Sequence, residues 1–180
     1  MNDLPDLPPI ERIVDLGRLS EAGAEIVLTP SVEERALLAR WVEVPSIENF
    51  TATISLKRKS LGNFHYGAKI EADLTQNCVV TLEPVIAHID RMFSRELHLA
   101  SQARHQHGGS EVLAPGAGDD EVPEELDSPR YDVAAAVLEE FSLAIDPYPR
   151  APGAAFESTL EGEGAPENPF AVLKRLKTGV

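Results

Sequence analysis

The sequence predicts an α+β fold, with a mainly antiparallel sheet of about five to six strands, two main helices and a short C-terminal helix. Two observations support this prediction. Residues 50–59 and 64–74 alternate apolar and polar side chains with a period of two, which is typical of half-buried antiparallel strands. Residues 31–44 and 128–145 carry apolar side chains at helical spacing, one turn apart.

The clearest strands form a long hairpin around the turn Leu61-Gly62-Asn63. Its predicted inward-facing side chains are Phe50, Ala52, Ile54 and Leu56 in the first strand, and Ala68, Ile70, Ala72 and Leu74 in the second. Shorter strands are predicted over residues 12–16, 24–29 and 78–82, and Pro84 stops the last of them. Residues 86–99 fit helical and strand spacing alike, and we favour a strand.

Local signals mark where each helix begins. Ser31 can cap the first helix and Glu34 completes a capping box, while Pro45 ends the element. Ser128-Pro129 supplies a cap and a proline at the first helical position of the second helix, which should run to Ile145. The first core-facing stripe is predicted to contain Leu37, Leu38, Trp41 and Val42; the second is predicted to contain Val133, Val137, Leu138, Phe141 and Ile145, with Glu139 and Glu140 facing water.

We expect a single domain over residues 1–180, with three less regular parts. Residues 1–9 should be a flexible N-terminus. Residues 101–127 contain seven acidic residues and few large apolar groups, and should form a mobile acidic loop. Residues 146–180 form a proline-rich and then amphipathic C-terminal segment.

Charge and composition narrow the class of protein. The net charge is −14, from 16 basic and 30 acidic residues, which disfavours broad nucleic-acid binding and favours a basic partner. The single cysteine allows no intramolecular disulfide. The N-terminus lacks the features of a signal peptide, and no apolar stretch approaches the roughly 20 residues that span a bilayer. We therefore expect a cytoplasmic protein without a membrane partner.

The sequence shows no pattern that indicates catalysis. Phosphate-binding glycine loops and the nucleophile-elbow motif do not occur, which disfavours a hydrolase or nuclease. Cys78 lies in an apparent strand, so a buried, inert thiol is favoured over a functional one. His105 and His107 fall in the predicted loop and lack the ligand set of a zinc site. We predict no catalytic residue, metal, cofactor or small-molecule substrate.

Two surfaces are candidates for contact with a partner. The segment 146–153 combines three prolines with Tyr148 and Arg150, and is stiff. The C-terminal tip is amphipathic and too short to be stable alone, so it should dock on its own domain or on a partner; its candidate contact residues are Phe170, Leu173, Lys174 and Arg175. An alternative function is direct RNA binding by the basic tip together with Lys57, Arg58 and Lys59. These three residues also suit a charged hairpin end, whose role is to block aggregation through the sheet edge.

Three segments together resemble the YceD-like family, described as large ribosomal RNA subunit accumulation proteins: residues 76–85, 146–154 and 168–177. The lengths are similar to those of its alphaproteobacterial branch. The resemblance implies a role in synthesis, processing or stability of large-subunit ribosomal RNA. In that setting, our first hypothesis is an assembly factor whose acidic surface binds a ribosomal protein or another factor, and the second is direct binding to ribosomal RNA. Many members carry a Cys-x-x-Cys-like cluster, but Thr81 and Leu82 stand where a second cysteine would be expected, so no metal or redox role is carried over.

Overall fold

A computed structural model describes residues 8–100 and 123–155. Its elements in chain order are β1 (Ile13–Asp15), a short 3-10 helix (Leu16–Arg18), β2 (Ala24–Leu28), α1 (Val32–Trp41), β3 (Ser46–Ser60), β4 (Asn63–Asn77), β5 (Pro84–Leu99), β6 (Glu124–Leu126), β7 (Arg130–Asp132) and α2 (Val133–Ala144). No helix in these two ranges is long and apolar enough to cross a membrane.

The strands form one large sheet and one small one. The large sheet has five strands in the order β2-β3-β4-β5-β6, all antiparallel except the parallel pair β5 and β6. The small sheet pairs β1 with β7 in antiparallel fashion. Together with the two helices, this architecture confirms the α+β prediction, while the predicted C-terminal helix lies outside the described residues.

The hairpin of β3 and β4 is the centre of the sheet and follows its predicted pattern. Phe50, Ala52, Ile54 and Leu56 are all 2% exposed or less, and the predicted inward set of β4 is also buried. Gly62 has a φ of +78° at the turn, where a Cβ atom would lie 3.2 Å from the carbonyl oxygen of Leu99. The turn therefore needs a glycine at this position.

The first helix begins as predicted, with a complete capping box. Ser31 Oγ accepts a hydrogen bond from the Glu34 N–H at 3.2 Å, and Glu34 Oε2 accepts one from the Ser31 N–H at 2.8 Å. The core-facing stripe differs in one residue, because Leu37 is 47% exposed. The helix packs on β3 through the face that contains Leu38 and Ala39, which turns Leu37 toward solvent.

The second helix begins later than predicted. Residues 130–132 form β7 instead of a first helical turn, because they pair with β1. Asp132 is the N-cap, and its Oδ1 accepts hydrogen bonds from the N–H groups of Ala134 at 3.0 Å and Arg12 at 2.8 Å. Ser128 and Pro129 therefore precede a strand, and the predicted cap at Ser128 is wrong.

The predicted buried face of α2 packs on the sheet. Val133, Val137, Leu138 and Phe141 are fully buried. The Phe141 ring meets the Phe50 ring of β3 edge-on, with centroids 5.0 Å apart and planes at 85°. Buried Tyr66 of β4 donates a hydrogen bond from Oη to the Val133 carbonyl oxygen at 2.8 Å.

Two further predictions about local structure are wrong. Residues 78–82 form the turn between β4 and β5 instead of a strand, because Leu82 N–H bonds to the Cys78 carbonyl oxygen at 2.9 Å and closes the chain on itself. The range predicted as an acidic loop includes Glu124–Leu126, which instead pair with the end of β5 as strand β6. Residues 101–122 lie outside the described residues.

We predict that Phe141→Ala lowers the free energy of unfolding by about 3–5 kcal/mol, because it empties the contact between α2 and β3. Leu143→Ala is the matched control on the same helix, since Leu143 is 72% exposed and should cost less than about 0.5 kcal/mol. Urea denaturation followed by circular dichroism measures both. Equal losses in the two variants would contradict the packing described.

Candidate functional site

The proline-rich segment that follows α2 is fixed against the turn between β4 and β5. Val79 N–H donates to the Pro149 carbonyl oxygen at 2.9 Å, and Ala151 N–H donates to Cys78 Sγ at 3.2 Å. Gln76, the one buried polar residue of the described core, donates from Nε2 to the Asp146 carbonyl oxygen at 2.7 Å. The segment therefore has a defined position on this turn.

This junction exposes three large apolar side chains. We call it the turn surface and define it as Val79, Leu82 and Tyr148, which are 47%, 76% and 71% exposed. Arg150 is also exposed beside the buried Pro149. Two of the predicted contact residues, Tyr148 and Arg150, thus lie next to apolar side chains that the sequence did not single out.

Leu82 adopts a backbone conformation that is unfavourable for a leucine. Its φ is +62°, in the left-handed region that glycine and asparagine normally occupy. The side chain gains no compensating burial, because 76% of it faces solvent. Backbone strain of this kind is concentrated at functional positions, which makes Leu82 a candidate contact residue.

We predict that the free energy of unfolding of the Leu82→Gly variant is about 1 kcal/mol higher than that of the Leu82→Ala variant. Both variants remove the exposed side chain, but only glycine removes the strain of the positive φ. Chemical denaturation of the two proteins under one set of conditions measures the difference. An alanine variant as stable as the glycine variant would show that residue 82 is not held in the left-handed region.

Cys78 lies beneath this surface and is held by hydrogen bonds. Its side chain is buried, and Sγ accepts from the N–H groups of Val80 and Thr81, both at 3.4 Å, as well as from Ala151. The side chain of Thr81 and these backbone donors lower the pKa of the thiol to about 6. The prediction that Cys78 is buried is confirmed, but its hydrogen-bond donors stabilise the thiolate.

We predict that the Cys78 thiol titrates near pH 6 and that Thr81→Val raises this pKa, since hydrogen bonds donated to the thiolate favour the charged form. Ultraviolet thiolate absorbance across a pH series measures both. Thr53→Val on the exposed sheet face is the control and should leave the titration unchanged. Titration near the ordinary thiol pKa in the wild-type protein would rule out this arrangement.

The basic cluster proposed for RNA lies in β3, beside the far end of β4, about 40 Å away along the strands. Arg58 Nη2 donates to the carbonyl oxygens of Leu16 at 3.2 Å and Gly17 at 3.1 Å, so this side chain holds the 3-10 helix. Lys59 Nζ forms an ion pair with Glu96 Oε1 at 2.7 Å. Two of the three side chains therefore have partners within the protein, and Lys57 is exposed.

A second charged cluster joins α2 to β5. Arg95 Nη2 lies 2.7 Å from Glu139 Oε2 and 3.3 Å from Glu140 Oε1, and Arg91 Nη2 lies 3.4 Å from Glu140 Oε2. The expectation that Glu140 faces water is wrong, because its side chain is only 16% exposed. Sequence spacing alone could not show that two arginines of a neighbouring strand lie above it.

The described residues offer no metal-binding cluster of three or more His, Cys, Asp or Glu side chains. Three histidines hydrogen-bond to neighbouring strands instead: His65 to Glu96, His88 to Asp73 and His98 to Asn63, at 2.7–2.8 Å. His105 and His107 lie outside the described residues, as do the predicted contact residues Phe170, Leu173, Lys174 and Arg175.

The fold and this junction define an α+β protein in which a proline-rich segment supports an exposed apolar turn. The chain belongs to the family described as large ribosomal RNA subunit accumulation protein YceD, whose model matches residues 67–177. The match confirms the resemblance found in the sequence. It contains the turn surface and begins after Lys59. Comparisons with curated proteins and with solved structures gave no match.

Proposed function

We propose that this protein is a non-enzymatic cytoplasmic factor that supports synthesis, processing or stability of large-subunit ribosomal RNA by binding a ribosomal protein or an assembly factor. The family match over residues 67–177 carries the proposal, because its description names accumulation of this RNA. The turn surface is the proposed contact, together with Arg150 and the C-terminal residues Phe170, Leu173, Lys174 and Arg175.

The chemistry of the turn surface supports this choice. Exposed aromatic and aliphatic side chains on a fixed backbone act as anchors in protein interfaces, since little conformational entropy is lost when they bind. Tyr148 stands between two prolines and Pro149 is buried, so the backbone beside it is already ordered. Leu82 presents an apolar side chain at a positive-φ turn position, where a glycine would provide none.

Charge supports a basic partner. The chain carries a net charge of −14, so long-range attraction would speed its encounter with a basic ribosomal protein and make association sensitive to salt. Direct RNA binding through Lys57, Arg58, Lys59 and the basic tip is the alternative. The intramolecular contacts of Arg58 and Lys59 make the hairpin cluster a weaker phosphate-binding surface than its sequence indicates.

We predict that the double variant Leu82→Gly, Tyr148→Ala lowers recovery of large-subunit ribosomal proteins with the tagged protein by about tenfold, because two exposed anchors are removed. The same variant should lower the amount of large-subunit ribosomal RNA in cells where it replaces the wild type. Co-purification with quantitative mass spectrometry and RNA measurement test the two effects.

Leu61→Ala is the matched control, because Leu61 is 94% exposed at the opposite end of the sheet. It should leave both measurements unchanged, as should Lys57→Ala. Loss of RNA in the Lys57 variant, with a steep salt dependence of binding to ribosomal RNA fragments, would favour the RNA-binding alternative. Wild-type recovery by the double variant would reject the turn surface as the contact.

A further inference from the structure

One edge of the large sheet is long and unpaired in the part of the chain that the structure describes. Strand β5 has 16 residues and pairs with β4 from Pro84 to His98. On its other side it pairs only with β6, over Leu97–Leu99. The backbone of residues 84–96 therefore has no strand partner on that side within the described ranges.

Alternate residues of β5 direct their backbone groups to this free edge. Leu99 N–H donates toward the β4 side, to the Gly62 carbonyl oxygen at 2.7 Å, and Ala100 N–H donates toward β6, to the Leu126 carbonyl oxygen at 3.0 Å. The register between β4 and β5 has no bulge, so this alternation continues along the strand. The residues whose N–H and C=O groups face the free edge are then Ile86, His88, Asp90, Met92, Ser94 and Glu96.

The side chains of these same residues lie on the face of the sheet opposite the helices. The alternate positions belong to the helix side, as Ile89 shows by pairing with buried Ala72 of β4. Ile86 and Met92 on the open face are 82% and 73% exposed. Because they stand on an unpaired strand, an added strand would place a neighbour directly beside each of them.

This edge lacks most devices that prevent pairing with another chain. Sheet edges are commonly protected by proline, lysine, bulges or short length, and residues 85–96 contain no proline, glycine or lysine. The strand is also unusually long, since most strands contain about 5–6 residues. A regular, extended row of free donors and acceptors is a template for an added strand.

The order of side chains in β5 is self-complementary in one two-fold register. The free N–H groups belong to every second residue, so an antiparallel pair of β5 strands places its two-fold axis on a residue. The free edge is centred on Asp90, and the registers that join most of it therefore have the axis at residue 89, 90 or 91. An axis at Asp90 or Arg91 places that charge opposite its own copy, which is unfavourable. An axis at Ile89 places no like charges opposite each other.

With the axis at Ile89, apolar side chains meet on both faces of the joined sheet. On the open face, Ile86 lies opposite Met92 of the second copy, and symmetry repeats the pair. On the helix side, half-buried Val85 lies opposite half-buried Phe93 of the second copy. Directly opposite side chains in antiparallel strands are in contact, so this register covers the two most exposed apolar groups of the strand.

We propose that two copies of this protein pair antiparallel through the free edges of β5, about a two-fold axis at Ile89, and join their large sheets into one. Backbone hydrogen bonds supply the pairing, and the apolar contacts select the register. The interface needs no new ion pair, since His88 already hydrogen-bonds to Asp73 and Asp90 lies 3.8 Å from Lys69. It does not include the turn surface, so failure of either proposal leaves the other standing.

Sedimentation equilibrium of the full-length protein tests the association directly. The expected result is a reversible dimer of the 19.5 kDa chain at micromolar concentration. Association should strengthen as salt is raised to about 0.3 M, because two chains of −14 repel each other and salt screens that repulsion. A chain that stays monomeric up to about 1 mM in this salt would overturn the proposal.

A pair of charge substitutions tests the register. Ile86→Lys and Met92→Glu each place a charge opposite an apolar side chain, and each should weaken the dimer about tenfold. The double variant should recover most of the affinity, because the two introduced charges lie opposite each other across the interface. Within one chain the two positions are about 20 Å apart along the strand, so the recovery requires a second copy.

Val27→Lys is the matched control for the charge substitutions. Val27 lies on the other edge strand, β2, is 59% exposed and receives the same charge as Ile86 does. This variant should dimerise as the wild type does. All of these substitutions are at exposed positions, so the circular dichroism spectra should remain those of the wild type.

Asp90→Pro tests the backbone pairing, because it removes an N–H group at the free edge without breaking the ladder to β4. Asp90→Asn is its control, since it loses the same charge and keeps the N–H group. The proline variant should dimerise about tenfold more weakly than the asparagine variant. Hydrogen exchange followed by NMR should show protection of the His88, Asp90 and Met92 N–H groups that increases with protein concentration.

Three further results would overturn the proposal. The first is a dimer that the single charge variants do not weaken, or that the double variant does not restore. The second is a proline variant that dimerises as tightly as its asparagine control. The third is N–H protection that is independent of protein concentration and disappears when residues 156–180 are removed or residues 101–122 are replaced by a glycine-serine linker, which would make the chain itself the occupant of the edge.

Discussion

The contact between α2 and the central hairpin determines where the rest of the molecule lies. Phe141 against Phe50 and the hydrogen bond from Tyr66 to Val133 fix both the position and the direction of the helix on the sheet. Because the helix direction is fixed, the chain that leaves it at Ala144 arrives at the turn between β4 and β5. The proline-rich segment and the exposed apolar side chains beside it are therefore consequences of how one helix packs.

The sequence revealed those parts of the fold that depend on local periodicity. Alternation identified β3 and β4 and their buried residues, and a capping box identified the start of α1. The errors arose where a distant partner decided the structure. Residues 130–132 became a strand because β1 lies beside them, and Glu124–Leu126 became one because β5 ends beside them. Neither partner is visible in a local pattern of apolar residues.

The candidate site was only half predictable for a similar reason. The prolines made Tyr148 and Arg150 stand out, since stiffness is a property of the local sequence. The exposure of Leu82 depends on a turn conformation, and the low pKa of Cys78 depends in part on Ala151, which lies 73 residues further along the chain. Arg58 illustrates the opposite error. The sequence predicts that it belongs to an exposed basic surface, but its side chain is hydrogen-bonded to backbone carbonyl groups of the protein.

The family match begins at Gly67, inside β4. The matched region thus contains β4 only from Gly67 onward and lacks β3, including Phe50, against which Phe141 packs. A polypeptide limited to residues 67–177 would expose the edge of β4 that pairs with β3 in the whole protein. Residues 67–177 therefore lack the strand pairing between β3 and β4 on which the centre of the sheet depends.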